Sequence, residues 1–519
     1  MSTTEVEKTA TLFSEEEIRR AEAAREKEPL QQERRTPRLK PINRQQMMMR
    51  SVDVEKLVEL GHPVRAIWEI LGQLDLSGFE ANIRAIEGRA GQATLSPRML
   101  ASLWIYAYSE AVSSARELSR MCEDDAGCQW LTGMETVNHH TLSDFRVGYK
   151  KALDDLFRQV LGLLSAEGLI ELKRVMQDGT KMKANAGKDT FRREQRLQEH
   201  LQLAEEQIQS MGDPRSEAIS RRVAKAKERA LGERKQRLLQ AMEELKTLRQ
   251  GKTEKEQAEA RASTTDPEAR IMKNGDGGYA PAYNVQMSTD AAHGILVNIT
   301  AVQAGNDWDQ LTPAVERLQQ SNLVPSQVIA DAGYTSRENI EAMAKSNVDL
   351  IGPMPEVASN VQYAHRGITP EFHVDAFRFD EAANHFVCPT GKILKLSTKE
   401  RHAGRLKLKY QARPSDCQFC RFRDQCCPKT KSRRITRSQD SEMVQAFRAK
   451  MQSEEAKQIY KLRPQVAEFV IAWIKEKLGL RQFRLRGLLK VQTECLWVGM
   501  TYNIQQWIRL RWRARLAVA

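Results

Sequence analysis

Two short apolar runs in this 519-residue chain stop at an aspartate that is followed at once by glycine or another small residue. They are Val175-Met176-Gln177-Asp178-Gly179 and Val328-Ile329-Ala330-Asp331-Ala332-Gly333. Brief apolar runs closed in this way read as buried strands with an acid at the C-terminal tip. A third element, Tyr460-Lys461-Leu462-Arg463 running on to Glu468 and Lys475, has a helical pattern. Carboxylates delivered by separate elements are what two divalent cations about 4 Å apart require, because hard ions such as Mg²⁺ take oxygen ligands and keep other positions for water and phosphate. Asp178, Asp331 and Glu468 are the candidate ligands, with Mg²⁺ or Mn²⁺ as the metal. Taken alone, an acid at a strand end is an ordinary turn former and a helical glutamate an ordinary surface residue. Glu476 and Glu494 are less well placed substitutes for Glu468.

The length predicts two or three domains. No 18-residue apolar run occurs, and Met1-Ser2-Thr3-Thr4-Glu5 carries no hydrophobic signal core, so a soluble cytoplasmic protein without a membrane partner is expected. Cys122, Cys128 and Cys495, scattered in helical patterns, read as thiols of a reducing compartment. The formal net charge is +13, unevenly spread. From Arg401 onward there are 27 Lys and Arg against 9 Asp and Glu, an excess of 18, which leaves the first 400 residues at −5. Basicity gathered around the last acid-bearing element suits a polyanion partner, since neutralised phosphates release counterions. A solvated basic face is the plain alternative.

Residues 1–50 form a charged arm, with Arg34-Arg35-Thr36-Pro37-Arg38-Leu39-Lys40-Pro41 its basic part, expected to be mobile unless DNA orders it. Residues 51–167 read as an all-helical domain, with Val64, Ile67, Trp68, Ile70 and Leu71 on one face; it can bind DNA or serve as a plain scaffold. Residues 168–190 and 263–360 carry the acid-bearing strands. Between them, 191–262 is a charged insertion in which Leu197, Leu201 and Ile208, then Leu238, Met242, Leu245 and Leu248, flank Gly212-Asp213-Pro214 as a helical hairpin. The order of strand with acid, two strands, a helix near Asp309 to Ser321, a strand at Gln327 to Ala330 running into the second acid, a helix over Arg337 to Lys345, a strand at Val348 to Ile351 and a final helix is that of a ribonuclease-H-like core. The expected fold is therefore α/β, a ribonuclease-H-like mixed sheet with flanking helices. The 153 positions from Asp178 to Asp331 are no obstacle if the hairpin loops out of the sheet.

Residues 361–437 form a strand-rich insertion with Cys388, Cys417, Cys420 and Cys426. A Cys-x-x-Cys pair plus two further cysteines fits a structural tetrahedral Zn²⁺; unmetallated thiols or a redox pair are the alternatives. Residues 438–519 hold the third acid and a basic tail. Asp307 and Asp309, after Gly305-Asn306, read as helix N-caps.

Asp178-Gly179-Thr180-Lys181, Ala330-Asp331-Ala332-Gly333-Tyr334 and the Tyr460, Arg463, Glu468, Lys475 series together resemble the DDE transposases of bacterial insertion sequences. Leu95-Ser96-Pro97-Arg98-Met99-Leu100, Ser113-Ser114-Ala115-Arg116-Glu117-Leu118 and His140-Thr141-Leu142-Ser143-Asp144-Phe145-Arg146 are similar to the N-terminal helical domain of that family. Ser263-Thr264-Thr265-Asp266-Pro267-Glu268-Ala269-Arg270 and Tyr283-Asn284-Val285-Gln286 are similar to its second and third strands. Around Glu468 the chain reads Ala467-Glu468-Phe469-Val470 where the family has Val-Glu-Pro-Val-Phe-Gly. The resemblance covers most of the chain and implies Asp178, Asp331 and Glu468 as catalytic metal ligands. It further implies terminal inverted repeats and target DNA as partners, a homodimer or higher oligomer on DNA, and a bacterial, nucleoid-associated location. Lys475, about two turns past Glu468 and on nearly the same helix face, can touch a phosphate. Lys181, Tyr460, Arg463, Arg481, Arg484 and Arg486 are the other candidate DNA contacts, with packing the alternative for the last three. A transposase-derived DNA-binding protein that no longer cuts, and a ribonuclease-H-like nuclease, are the competing functions.

Overall fold

A computed structural model of the chain describes residues 14–26, 45, 47, 49, 51–81, 83, 85, 93–210, 221–275, 277–354, 363, 365–402, 405–438 and 440–518. Two compact units are distinguished, 1–52 and 53–519. In the first, Glu15–Glu26 is a helix opened by three glutamates, whose negative charges suit the N-terminal end of the helix dipole. Ser14 and Glu17 exchange hydrogen bonds across that first turn. The segment Arg34 to Pro41 lies outside the described residues.

The second unit is mixed α/β. Its main sheet has six strands: β1 (Arg174–Lys183), β2 (Arg270–Lys273), β3 (Tyr279–Asp290), β4 (Leu296–Val302), β5 (Gln327–Ala330) and β6 (Asp349–Ile351). The order across the sheet is β4-β3-β1-β5-β6, with β2 on the same edge of β3 as β4. β1, β3 and β4 pair antiparallel, whereas β5 and β6 run parallel to β1. Parallel neighbours need crossovers, and helices Leu311–Gln320 and Arg337–Lys345 supply them.

Alternation along the strands builds two layers. Val328, Ala330 and Leu350 pack under the crossover helices and Phe447, while Met176, Ile329 and Ile351 meet Ala456, Ile459 and Ala467 on the opposite face. The crossover helix Arg337–Lys345 and strand β5 lie where the residue pattern predicts them. β1 departs from expectation. It does not end at Asp178 but continues to Lys183, because antiparallel pairing with β3 runs on to Lys183↔Ala282 after the parallel partner stops at Gln177↔Ala330. Asp178 is thus a mid-strand residue beside the true tip of β5.

The insertion is a helical hairpin, Glu194–Ser210 and Arg221–Arg249. Ion pairs Arg249–Glu194 at 2.6 Å and Lys235–Glu205 at 2.9 Å fix its antiparallel sense. Leu197, Ala204, Leu238, Ala241 and Leu245 form the narrow seam. The Gly212-Asp213-Pro214 turn lies outside the described residues. A second sheet, all antiparallel, follows in the cysteine-bearing segment: β7 (Arg378–Asp380), β8 (His385–Val387), β9 (Ile393–His402), β10 (Arg405–Ala412) and β11 (Arg434–Ser438) in sequential order.

The basic C-terminal segment is not peripheral. Helix Leu488–Trp507 buries fifteen residues, from Val491 to Trp507. One continuous core joins it to the N-terminal helices, through Ile67, Trp104 and Leu156, and to Val285 and Ile299 of the sheet. A Cβ at Gly499 would stand 2.9 Å from Ile299, so only glycine admits this closeness of helix and strand. Asp266 and Glu268 accept the first amides of the helix, Gly487 N–H at 3.0 Å and Leu488 N–H at 2.9 Å. Asn503 and Gln492 then pair with the free edge of β4, their side-chain amides bonding Leu296 N–H and C=O, Ile299 C=O and Ala301 N–H at 2.8–3.0 Å. Cys122, Cys128 and Cys495 are buried free thiols in helices. No helix among the described residues is long and apolar enough to cross a membrane.

Candidate active site

Asp178 on β1, Asp331 one residue past β5 and Glu468 from the helical C-terminal region converge on one guanidinium. Arg463 Nη2 lies 2.7 Å from Asp178 Oδ2 and 3.6 Å from Asp331 Oδ2, and Nη1 lies 3.6 Å from Glu468 Oε1. The acids differ in exposure, the Asp178 side chain being 10% accessible, Asp331 39% and Glu468 62%. Burial pushes the Asp178 carboxyl above the usual carboxylate range, against the pull of Arg463 and of the Gly179 N–H. Asp331 Oδ1 accepts the Gly333 N–H at 2.7 Å, which turns the chain sharply out of β5.

Glu468 owes its place to an irregularity. Pro464–Glu468 is a π-helical turn leading into helix Phe469–Glu476. Such turns absorb one extra residue within a helix and recur at functional sites. Past it, Lys475 Nζ donates to Thr180 Oγ1 on β1, and burial lowers the lysine pKa. Glu476 pairs with Arg481 at the surface. Glu494 is fully buried and accepts the Arg484 and Leu485 amides at 3.1 Å, so it serves the fold and does not face the acids.

A polar network that local sequence pattern does not announce backs the site. Asp307 is not a helix cap: the following helix begins at Leu311 with Gln310 before it. Its carboxylate instead accepts Asn284 Nδ2 at 2.6 Å and Gln286 Nε2 at 2.7 Å, and pairs with Lys181 Nζ at 3.1 Å. Gln286 also accepts Tyr334 Oη–H at 2.6 Å and Gln177 Nε2–H at 3.0 Å. A Cβ at Gly179 would meet Gln286, Tyr334 and Asp307 within 2.9 Å, which explains the glycine after the first acid. The signal available was Asn284, Gln286 and Ser288 alternating along a buried strand, a polar face turned inward.

Among the other candidates, Tyr460 ends helix Glu454–Tyr460 and is partly buried near Arg463, burial raising its pKa. Arg484 Nε donates to Ser113 Oγ at 3.3 Å and Arg486 Nε to the Asn185 carbonyl at 3.1 Å, so both are exposed yet tied to the fold. Cys388, Cys417, Cys420, Cys426 and Cys427 line one cavity of about 30 Å³. Burial pushes the Cys426 thiol up to about 12 and Cys427 up to about 11. Among the described residues no group of three or more His, Cys, Asp or Glu side chains is gathered closely enough to hold a metal ion; the acids are spread around Arg463.

Two protein families match. Residues 387–508 match the Transposase DDE domain and residues 52–148 the Transposase domain (DUF772). Both matches are to transposase domains, in agreement with the resemblance to DDE transposases carried by the residue motifs. The first match includes Arg463, Glu468 and Lys475, while Asp178 and Asp331 precede it. No curated protein matches the chain. Among solved structures, a piggyBac transposase synaptic complex with hairpin DNA aligns at 8% identity over 88% of this chain and 77% of that one, with a TM-score of 0.31, too low to bear on the fold.

Proposed function

We propose that the protein cuts the ends of its own insertion sequence and joins the freed 3′-hydroxyls to target DNA, on a ribonuclease-H-like core. The observation that carries this reading is the meeting of Asp178, Asp331 and Glu468, from three distant parts of the chain, around a single positive charge. The strand order β4-β3-β1-β5-β6, three antiparallel then two parallel, supports the core.

The donor set, three carboxylates drawn to a cation, fits hard divalent ions such as Mg²⁺ or Mn²⁺ once Arg463 yields its place. Bound there, the ions would activate an attacking water or 3′-hydroxyl and stabilise the leaving oxygen. The chain does the rest. Asp178 is aimed by the Gly179 amide and Asp331 by the Gly333 amide, so neither carboxylate has to be reoriented. Lys475 and Tyr460 stand near the acids, and with Lys181, Arg481, Arg484 and Arg486 they would hold the DNA backbone, a role that positions without reading bases. Terminal inverted repeats and target DNA are the partners, with two or more protomers on DNA in the cytoplasm. A structural Zn²⁺ on Cys388, Cys417, Cys420 and Cys426 would need these thiols to deprotonate and to draw closer together than they stand here.

The test is cleavage of a duplex carrying the element's terminal repeat. Wild type should nick it with Mg²⁺ or Mn²⁺ and join it to a second duplex. Asp178→Asn, Asp331→Asn and Glu468→Gln should each lower the rate by at least about a thousandfold while binding the duplex normally. Binding without cleavage by wild type would point to a DNA-binding derivative, and cutting without regard to the repeat to a nuclease.

A further inference from the structure

Three carboxylates facing one another are unstable unless a positive charge stands among them. Arg463 is that charge, and the way it is held is unusual for a structural arginine. Its side chain is 13% accessible, yet only the 2.7 Å contact to Asp178 is within hydrogen-bond length; Asp331 and Glu468 act at 3.6 Å. Its Nε is buried and bonds nothing. A guanidinium fixed by fold alone uses its planar fork, commonly bidentately. This one is held by the joint field of the acids, and it stands at the mouth of the π-helical turn that carries Glu468.

We infer that Arg463 is a resident counter-cation which competes with divalent metal for the oxygens of Asp178, Asp331 and Glu468, so that the protein off DNA binds metal weakly until the guanidinium is displaced. This rests on the metal-site reading given above. Oxygen ligands approach Mg²⁺ at about 2.0–2.1 Å, and Asp178 Oδ2 cannot serve such an ion while Nη2 occupies it. Arg463 is therefore a positioning residue: it keeps the carboxylates gathered, and it sets the affinity of what replaces it. A freed guanidinium is in turn available to a DNA phosphate, which ties metal loading to DNA arrival by linkage.

The experiment is Mn²⁺ titration of the full, EDTA-treated chain without DNA, followed by the electron paramagnetic resonance signal of free Mn²⁺. Arg463→Gln should bind Mn²⁺ at least about tenfold more tightly than wild type, the usual scale of a one-site coupling. Lys475→Gln removes a neighbouring charge bonded to Thr180, not to the acids, and should change affinity by less than about threefold. Adding Asp178→Asn to Arg463→Gln should abolish the gain. Unchanged or weaker binding by folded Arg463→Gln overturns the competition, as does an equal gain from Lys475→Gln, which would reduce it to a general charge effect. Mn²⁺ binding indifferent to Asp178→Asn in both backgrounds would instead sink the metal-site reading. Should Arg463→Gln fail to fold, Arg463→Lys keeps the charge but loses the two-nitrogen span; intermediate affinity supports the inference and wild-type affinity overturns it.

Discussion

The acid cluster and the cysteine cavity both look like metal sites in the sequence, and they are built on opposite principles. Asp178, Asp331 and Glu468 come from positions up to 290 apart and are brought together by the main sheet, the β5 tip and a π-helical turn. The five cysteines come from a stretch of 40 residues, Cys388 just past β8 and the other four in and around two short helices, Pro414–Gln418 and Arg423–Cys426, between β10 and β11. Carboxylates are charged at neutral pH, so the first group cannot be assembled without a cation, and Arg463 provides one. Burial pushes the Cys426 and Cys427 thiols up to about 12 and about 11, so these two are neutral there and need no ion pair to be gathered, even though Arg423 and Arg433 also line their cavity. Convergence of charge is a stronger sign of function than convergence of thiols, because only the former costs stability to maintain.

The contrast can be broken most directly by removing one member from each group. Asp178→Ala leaves Arg463 half-buried with only its two longer contacts, and should cost about 2 kcal/mol or more in urea unfolding. Cys420→Ala in metal-free protein should cost under about 1 kcal/mol, since the side chain is small and only partly buried. Equal losses would mean that Cys420 supports the fold as strongly as the acid does, without any metal. Zinc analysis sharpens the same point. About one Zn²⁺ per chain, lost on replacing Cys417 and Cys420 together, is expected if the cavity is a four-thiolate site, and zinc-free protein of unchanged melting temperature would leave it a cluster of thiols.

Next come the exposed arginines that follow Lys475 in the chain. Replacing Arg481, Arg484 and Arg486 together by glutamine should weaken binding to specific and random DNA alike, flattening the log K against log salt slope by up to about 0.9 for each phosphate no longer neutralised. An unchanged slope with a lower melting temperature would assign them to the bonds with Glu476, Ser113 and Asn185. The smallest effect concerns Glu494, a buried acid without a catalytic part. Burial raises its pKa, so the native state binds its proton more readily than the unfolded chain does, and its ionisation destabilises the fold as pH rises through that window. Relative to Glu494→Gln, wild type should therefore melt higher at pH 4 than at pH 7. A pH-independent difference would show that the two amides and Arg146 fully compensate the charge.

Local pattern makes much of this legible. The run Gln327–Ala330 and the helix Arg337–Lys345 match their expected bounds because each is a short unit with its own stop signal: Asp331 for the strand, Ser336 as N-cap for the helix, its hydroxyl accepting the Asn339 amide. The placement of Asp178 at a strand tip fails, since whether a strand continues past an acid depends on a partner more than 100 residues away. Asp307 misleads for the same reason: its partners Lys181, Asn284 and Gln286 lie on other strands, and nothing local distinguishes it from a cap. Arg463 reads as a phosphate contact because an exposed arginine and one turned toward acids have the same neighbours in sequence. The DDE domain match leaves Asp178 and Asp331 outside its bounds, so those two acids rest on fold geometry.

The edge of β4 has one further consequence, for synthesis. Its outward amides and carbonyls are satisfied by Gln492 and Asn503, which leave the ribosome about 200 residues after the strand itself. Until then a nascent chain carries an unpaired strand edge and the open ends of a core whose last wall is helix Leu488–Trp507, and such edges recruit other chains. Premature stop codons before position 488 should thus yield insoluble fragments even when every acid and both transposase domain starts are intact, and neighbouring copies on one message are each other's nearest hazard.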